Sequence, residues 1–365
     1  MNTDFIEALN EIEREKGISK DILIDAIEAA LISSYKRNFN TAQNVRVDIN
    51  RHTGLIKVYA RKTVVDEVLD PRMEISLYAA REINGNYQLN DIVEIEVTPR
   101  DFGRIAAQTA KQVVTQRIRE AERGLIYNAY VDKEQDIVNG IVQRQDQRNL
   151  YVDLGKIEAV LPLTELMPTD KFVHGDRVKA YITKVENTTK GPQIILSRTH
   201  PGLLKRLFEL EVPEIYEGVV EIRSVAREAG FRSKIAVYSR NPEVDPVGSC
   251  VGPKGMRVQT IVSELKGEKI DIVRWVESVE EYVANALSPS KVVEVIVFEE
   301  EKMARVIVPD YQLSLAIGIK GQNARLAAKL TGWKIDIKSE SQAEQEYGRP
   351  KSEGEEMHQD SVSID

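Results

Sequence analysis

Two stretches of this sequence, Cys250-Val251-Gly252-Pro253-Lys254-Gly255 and Ala316-Ile317-Gly318-Ile319-Lys320-Gly321, are copies of one motif. Both contain Gly-x-x-Gly with lysine as the second x. Each copy leads into an amphipathic helical pattern and then into a strand with the tetrapeptide Lys-Ile-Asp-Ile, which begins at Lys269 and again at Lys334. An internal repeat of this kind indicates a duplicated structural unit, so the sequence predicts two tandem modules of one fold.

The residues upstream of each copy extend the repeat. Two predicted strands precede the first loop, at 219–225 and 234–238, and two precede the second, at 292–298 and 304–308. Each module therefore reads helix, strand, strand, helix, Gly-x-x-Gly, helix, strand. This order mixes helices with a small sheet and predicts an α+β fold.

The residue types in the loop suit binding of a sugar-phosphate backbone. Glycine has no Cβ, so a ligand can approach the chain closely. Each loop opens a helix whose first N–H groups are unpaired and favour a phosphate. Lys254 and Lys320 add a positive charge, and Arg257 and Arg325 follow within about a turn. A single Gly-x-x-Gly is weak evidence, but the alternative of two purely structural turns leaves the repeated lysine unexplained.

Length and composition limit the class of protein. The chain has 365 residues with a single cysteine, Cys250, which excludes a disulfide-stapled secreted scaffold and favours a reducing compartment. The length predicts two to four domains. No apolar run is long enough for a membrane span, and the first residues lack the pattern of a signal peptide, so we expect a cytoplasmic protein without membrane contact.

The net charge of −8 is concentrated at one end of the chain. Residues 339–365 hold 8 acidic and 2 basic residues, a sum of −6, which leaves −2 for all the rest. This segment has few apolar residues and is predicted to be a disordered acidic tail. The remainder is nearly neutral, so bulk charge does not exclude a nucleic-acid partner.

The first 131 residues combine helices and strands. Two helical patterns are separated by Gly17, with Ser19 as the expected N-cap of the second. Alternating runs at 45–49 and 55–65 predict a β-hairpin, a short helix follows at 75–82, and 92–97 reads as a strand. A helical pattern from Asp101 to Val131 would be about 45 Å long at 1.5 Å per residue.

Residues 132–200 contain five short β segments with turns between them. Because closure removes exposed strand edges, five short strands in so few residues predict a small closed barrel of the OB-fold type.

The duplicated modules resemble the KH module, whose Gly-x-x-Gly loop clamps the backbone of about four single-stranded nucleotides. The order of the strands is similar to that of bacterial KH domains. Pro253 departs from the usual pattern because it lacks an N–H, so the resemblance favours the second loop as the stronger clamp. From this reading, Gly318→Asp is expected to weaken RNA binding without unfolding the chain. The RNA-binding residues implied by the two modules are Gly252, Pro253, Lys254, Gly255 and Arg257, with Gly318, Ile319, Lys320, Gly321 and Arg325.

The barrel resembles an S1 domain through Tyr151-Val152-Asp153-Leu154-Gly155, Leu161-Pro162-Leu163 and Leu196-Ser197-Arg198. Such barrels bind single strands by stacking bases on aromatic side chains beside a basic groove. Tyr151 matches one stacking position, with a tyrosine at the edge of the core as the alternative. The other two family positions are Ala159 and Pro162, so weaker stacking is implied, with electrostatic contact from Arg144, Arg148 and Arg198.

Features of an enzyme are missing from the sequence. The four histidines are scattered, and Cys250 abuts a loop glycine, so no metal-ligand spacing is present and we expect neither a metal nor a cofactor. No nucleotide-hydrolysing phosphate loop follows Gly255, because Met256 and Arg257 stand there. Cys250 is interpreted as a small core residue.

The order of the modules resembles, over essentially the whole chain, the bacterial transcription termination/antitermination factors of the NusA family, in a short form similar to that of Gram-positive bacteria. The resemblance implies five segments. These are an N-terminal polymerase-binding domain at 1–131, an S1 domain at 132–200, KH domains at 201–276 and 277–338, and an acidic tail at 339–365.

The family resemblance implies a monomeric, non-enzymatic elongation factor. It would bind RNA polymerase core and nascent single-stranded RNA, together with other Nus factors, and would modulate pausing, intrinsic termination and antitermination. Two alternatives stay open: a general RNA-binding protein or chaperone, and an S1-KH protein associated with RNA degradation. About 130 N-terminal residues are too few for the catalytic unit of the latter.

Overall fold

The computed structural model describes residues 3–39 and 44–347. They form two compact units. One is made of the described chain up to 129 together with 188–192, and the other of 130–187 and the described chain from 193 onward.

The first unit packs helices against one face of a small sheet. Leu23, Ile27 and Leu31, three of the apolar residues predicted to share a helix face, are fully buried against strand residues such as Val47 and Val58. The elements in chain order are α1 (Thr3–Lys16), α2 (Lys20–Asn38), β1 (Val45–Ile49), β2 (Ile56–Val65), β3 (Glu74–Ser76), α3 (Leu77–Ile83), β4 (Ile92–Glu96) and the long helix α4 (Phe102–Val131).

The predicted elements of this unit are confirmed, with one addition. β1 and β2 form the expected antiparallel hairpin, and β4 pairs with the other edge of β2. The addition is β3, which runs parallel to β2 and is only three residues long, too short for an alternation pattern to reveal. Ser19 occupies the N-cap position of α2, but its side chain makes no capping hydrogen bond, and the Lys20 N–H donates to Glu13 instead.

Five strands close into the barrel that the sequence predicts. Their spatial order is β5-β6-β7-β9-β8. β5 pairs antiparallel with β6 and with β8, β6 pairs antiparallel with β7, and β7 pairs parallel with β9. A buried interior of aliphatic side chains, including Val152, Leu161 and Ile182, fills it. The strands are β5 (Ile137–Gln145), β6 (Asn149–Asp153), β7 (Glu158–Pro162), β8 (Arg177–Thr188) and β9 (Gly191–Ser197).

The first KH module has a three-stranded sheet in which the last strand follows the loop and its helix. β10 pairs antiparallel with β11, and β11 pairs parallel with β12, as the bacterial KH order requires. The elements are α5 (Pro201–Glu211), α6 (Pro213–Tyr216), β10 (Val220–Glu228), β11 (Arg232–Ser239), α7 (Pro246–Val251), α8 (Met256–Glu264) and β12 (Lys269–Arg274).

The second KH module repeats this sheet and shares a core with the first. β13 pairs antiparallel with β14, and β14 pairs parallel with β15. Ala226, Ala236 and Val273 of the first module pack in one cluster with Val283 and Leu326 of the second. The elements are α9 (Val279–Ala286), β13 (Glu294–Phe298), β14 (Met303–Val308), α10 (Leu313–Ile317), α11 (Gln322–Thr331), β15 (Lys334–Ser339) and α12 (Glu340–Tyr347).

The start of the predicted tail is a correction. Residues 340–347 form helix α12 directly after β15, where the composition predicted disorder. The Ser339 hydroxyl accepts from the Gln342 N–H at 3.3 Å, and the Gln342 side chain accepts from the Ser339 N–H at 3.1 Å. This reciprocal capping box was readable in the sequence and outweighs the polar composition. Residues 348–365 of the predicted tail lie outside the described residues.

Candidate nucleic-acid interface

The two Gly-x-x-Gly loops have the same backbone conformation. Gly252 has φ 72° and ψ 173°, and Gly318 has φ 76° and ψ 173°. Lys254 and Lys320 both have φ 52°, and the closing glycines have φ 76° and 73°. The sequence repeat is therefore also a repeat of local geometry, and each loop opens one of the helices α8 and α11.

The two glycines of each loop have different surroundings. A Cβ on Gly252 would lie 2.6 Å from Cγ of Arg257, and one on Gly318 would lie 2.8 Å from the backbone nitrogen of Asn323. A Cβ on Gly255 would meet nothing within 4 Å. The first glycine thus lets the loop pack on its helix, whereas the closing glycine lies on the open side, where a ligand can approach.

The loop lysines are exposed and available. Within residues 3–39 and 44–347 neither ammonium group has an ion-pair partner, and both lie at the N-terminal end of a helix. Each loop is closed by its own hydrogen bond, from the Gly255 N–H to Gly252 O at 3.0 Å and from the Gly321 N–H to Gly318 O at 3.1 Å. The positive charge is therefore held on a fixed turn.

Pro253 and Ile319 occupy the same loop position but offer different chemistry. Proline has no N–H, so the first loop has one potential donor fewer than the second. Ile319 is 85% exposed and presents an apolar side chain beside Lys320. The second loop therefore has one more potential N–H donor and an exposed apolar side chain that a nucleotide could contact.

Arg257 makes its contacts inside the first module. It lies under the first loop, where Nη1 donates to Ser249 O at 2.6 Å and pairs with Glu214 at 2.8 Å. The equivalent residue of the second module is the buried Asn323, whose amide donates to Ala316 O and Leu287 O at 3.0 Å. Both side chains donate to a backbone carbonyl just before their loop, Ser249 O in the first module and Ala316 O in the second.

Arg325 remains at the mouth of the second loop. Its side chain is 51% exposed, and Nη1 donates to Lys320 O within the loop. The other guanidinium nitrogens contact Glu228 of β10 at 3.1 and 3.2 Å. Glu228 was not singled out from the sequence, because it lies 97 residues from its partner and no local pattern connects them.

On the barrel, Tyr151 is half-buried and already covered. The Arg144 guanidinium lies 3.5 Å from the centre of the Tyr151 ring and pairs with Glu158 at 2.8 Å, while the Tyr151 hydroxyl donates to Asp146 at 2.9 Å. A base stacking on this ring would have to displace or join the arginine. Arg148 is exposed nearby, and its guanidinium contacts no carboxylate among the described residues.

The two remaining family positions lie on β7, the strand that pairs with β6. Ala159 is fully buried in the barrel, and Pro162 is half-buried where β7 ends. Neither offers an aromatic ring, as the sequence indicated.

Arg198 is the second correction. It is 1% exposed and makes two hydrogen bonds to the buried Asp170, at 2.8 and 3.0 Å, with further bonds to Lys179 O and Glu264 O. Most of these bonds stay within the barrel domain, and the bond to Glu264 O reaches the first KH module. For Arg198 to contact RNA, its buried guanidinium would have to break these bonds and leave Asp170 as an unpaired buried charge, which would cost a large free energy.

A second buried pair at this junction was not predicted. Arg227 and Glu268 are both inaccessible and contact each other at 2.9 Å, and Arg227 also donates to His200 O at 2.8 Å. Each pair lies within one module, and the two modules are joined by the further bonds of these arginines, from Arg198 to Glu264 O at 3.3 Å and from Arg227 to His200 O.

Other candidate chemistry is absent from the part of the chain that the structure describes. Burial raises the pKa of Cys250 to about 12, which agrees with the interpretation of a core residue. In the described ranges no three His, Cys, Asp or Glu side chains are grouped so as to hold a metal ion. No described helix combines the length and apolarity needed to cross a bilayer.

Comparison with protein families assigns every part of this architecture. Residues 4–124 match the NusA N-terminal domain, 131–198 the S1 RNA binding domain, 198–275 the NusA-like first KH domain and 279–345 the NusA-like second KH domain.

Whole-chain relatives agree. The transcription termination/antitermination protein NusA of Halalkalibacterium halodurans is 74% identical over 345 residues, which cover 94% of this chain and 90% of that protein. The NusA of Bacillus subtilis is 71% identical over 94% of this chain and 92% of its own length, and that of Thermus thermophilus is 43% identical over 92% and 89%. The solution structure of the N-terminal domain of NusA from Bacillus subtilis is 69% identical, covers 33% of this chain and 98% of that chain, and has a TM-score of 0.31.

These matches cover the N-terminal domain, the barrel and both KH modules in one order. They identify an RNA-binding transcription factor and not an enzyme. The chain belongs to the NusA family of transcription termination/antitermination proteins.

Proposed function

We propose that this chain binds RNA polymerase core through its N-terminal unit and holds the nascent single-stranded transcript on the barrel and the two KH loops, so that it modulates pausing, termination and antitermination. The observation that carries the proposal is the duplicated loop, in which the same unusual backbone presents a lysine at a helix N-terminus twice.

Each loop would act as a phosphate clamp. The closing glycine leaves room for a sugar-phosphate chain, the helix N-terminus supplies partial positive charge, and the lysine supplies a full one. A φ of 52° is energetically less favourable for lysine than for glycine. The presence of lysine in both loops is therefore explained by its charge. Lys254, Lys320, Gly255, Gly321, Ile319 and Arg325 form the proposed contact set, with Pro253 as the weaker counterpart of Ile319.

Joining the modules compensates for the weakness of each one. The shared core of the two KH modules, together with the bonds from Arg198 to Glu264 O and from Arg227 to His200 O, preorganises the binding surfaces. Once one loop holds RNA, the next contact is intramolecular, and little further ordering of the protein is needed. On the barrel, Tyr151, Arg144 and Arg148 would contact the same RNA strand.

The N-terminal unit offers features suited to protein docking. Leu69 and Tyr78 are 83% and 77% exposed, and Ile83 also lies open to solvent on the same small subdomain of β3 and α3. Exposed large apolar side chains in one region are typical of protein interaction sites. We assign RNA polymerase core to this unit and propose other Nus factors as further partners, with the chain acting as a cytoplasmic monomer.

The proposed domain boundaries follow the sequence interpretation, with the last one adjusted. They are 1–131, 132–200, 201–276 and 277–338, and helix α12 extends the second KH module to 347.

The polymerase assignment is tested by co-purification. The N-terminal unit has its own hydrophobic core, so a fragment of residues 1–131 is a reasonable probe beside the full chain. Both are expected to co-purify with RNA polymerase core, and the full chain is expected to lengthen a hairpin pause in a transcription assay. A general RNA-binding protein would bind RNA through its loops but fail both tests, so failure of the full chain to bind polymerase would favour that alternative.

A further inference from the structure

A carboxylate of the first KH module contacts the helix that follows the second loop. Glu228, the last residue of β10, accepts hydrogen bonds at one oxygen from Arg325, at 3.1 and 3.2 Å, and at the other from the Gln322 amide at 2.8 Å. Gln322 and Arg325 both belong to the first turn or so of α11. The acid is thus aimed at the helix end that carries the clamp.

The arginine in this contact also touches the loop itself. Nη1 of Arg325 donates to Lys320 O, and it would lie 3.4 Å from a Cβ on Gly321. The Arg325 side chain is half exposed, whereas that of Glu228 is mostly buried. The guanidinium therefore lies where a phosphate on the loop would meet it.

Glu228 is an anion at neutral pH. Burial raises the pKa of its carboxyl, but the hydrogen bonds from Gln322 and Arg325 outweigh this effect and hold the pKa below its ordinary value. A negative charge in contact with the second clamp reduces the attraction of that clamp for phosphate.

The first loop has no counterpart of this arrangement. Gln259 occupies the position equivalent to Arg325, and Arg257 is fixed beneath the loop by Ser249 and Glu214. The acid-arginine contact at the mouth of a clamp is a property of the second module alone within residues 201–347.

We propose that Arg325 exchanges Glu228 for an RNA phosphate, so that Glu228 is a positioning residue that holds the arginine over the second loop and sets its affinity for RNA. The inference rests on the proposed clamp. Glu228 keeps its bond to Gln322 after the exchange, so the acid is not left without a partner.

The exchange is energetically reasonable. The Arg325 side of the pair is half exposed, and solvent screening of an exposed charge lowers what the pair contributes to stability. Arginine binds phosphate through two parallel N–H···O bonds, which are among the stronger hydrogen bonds in proteins. The phosphate would approach the guanidinium from the solvent side. In the exchange Glu228 loses Arg325 and keeps Gln322.

The test measures binding of a fluorescent single-stranded RNA to the full chain by anisotropy at several salt concentrations. E228Q retains the shape and the Gln322 contact but removes the charge. We expect E228Q to bind roughly threefold to tenfold more tightly, because Arg325 no longer has to leave an acid. The slope of log K against log salt should steepen by at most about 0.7, the value for one phosphate on a single strand, because no carboxylate then offsets part of the Arg325 charge. R325Q is expected to bind roughly threefold to tenfold less tightly, R325K should lie between it and the parent, and the double variant should match R325Q.

Glu221 provides the matched control. It lies seven residues earlier on the same strand, about 23 Å away at 3.3 Å per residue, and also pairs with arginines, Arg223 and Arg240. E221Q removes the same charge and should leave both affinity and slope unchanged.

The outcomes separate this inference from the clamp on which it rests. Unchanged or weaker RNA binding by E228Q, with an unchanged salt slope, would mean that Glu228 has only a structural role. If E228Q raised the RNA affinity equally in the R325Q background, Arg325 would not take part in the exchange. Either result overturns this inference alone. A parent chain whose RNA affinity is unaffected by substitutions in both loops would overturn the clamp, and this inference with it.

Discussion

The first and second Gly-x-x-Gly loops have backbones that agree within a few degrees, yet their surroundings differ in almost every side chain. The first has proline at the second position and an arginine fixed beneath it. The second has an exposed isoleucine and an arginine at its mouth. Glycine and lysine thus preserve the turn, and the neighbours determine how strongly each turn can hold RNA.

The same comparison divides the four glycines into two roles. Gly252 and Gly318 pack against their own helices, whereas Gly255 and Gly321 face open space or the end of a flexible side chain. Substitutions at the first pair therefore report on folding, and substitutions at the second pair report on the ligand.

The largest effect is expected for Gly318→Ala. A Cβ at this position is forced against the Asn323 backbone, and the positive φ adds strain, so we expect a loss of about 3 kcal/mol in unfolding free energy. Gly255→Ala introduces the strain of a positive φ but no close contact, so it should lose only about 1 kcal/mol of unfolding free energy. Urea denaturation followed by circular dichroism measures both, and equal losses would contradict the division of roles.

Next in size is the effect of a carboxylate on the open side of each loop. Gly321→Asp should weaken single-stranded RNA binding by roughly 10- to 30-fold, because a negative charge would face the phosphate and pair with Arg325. Gly255→Asp should lose about fivefold, since the first clamp contributes less.

Asparagine is the control at both positions, because it tolerates a left-handed backbone as aspartate does but carries no charge. Gly321→Asn and Gly255→Asn should bind within about twofold of the parent. Anisotropy at matched salt measures all four variants, and an aspartate no worse than its asparagine would argue against a phosphate at that loop.

A smaller effect is expected from exchanging the residues that distinguish the loops. Because the backbones match, proline should fit at 319 as it does at 253. Ile319→Pro removes one N–H and an exposed apolar side chain and should weaken RNA binding about threefold, while Pro253→Ile should strengthen it by about twofold. No change in either direction would mean that the second position does not contact RNA.

The repeat itself made most of the fold predictable. Two copies of Gly-x-x-Gly followed by Lys-Ile-Asp-Ile predicted both KH modules, and short alternating strands predicted the barrel. Those patterns involve residues close together in the chain, so they can be recognised in the sequence without knowledge of the fold. Helix α12 departs from the disorder expected from composition, because the capping box of Ser339 and Gln342 outweighs the polar composition.

The roles of the arginines were not predictable in the same way. The partners of Arg257, Arg325 and Arg198 are Glu214, Glu228 and Asp170, which lie 28 to 97 residues away along the chain. Only the folded chain decides which guanidinium is buried and which stays at a loop. For the same reason Gly318→Asp, an attractive clamp test from the sequence, would disturb the loop itself.

The central claim is that both loops hold phosphates, and the salt dependence of RNA binding by the Lys254→Gln, Lys320→Gln double variant tests it most directly. If each lysine neutralises one phosphate, the slope of log K against log salt should become shallower by about 1.4 relative to the parent chain. A parent and a double variant with the same slope would contradict the claim.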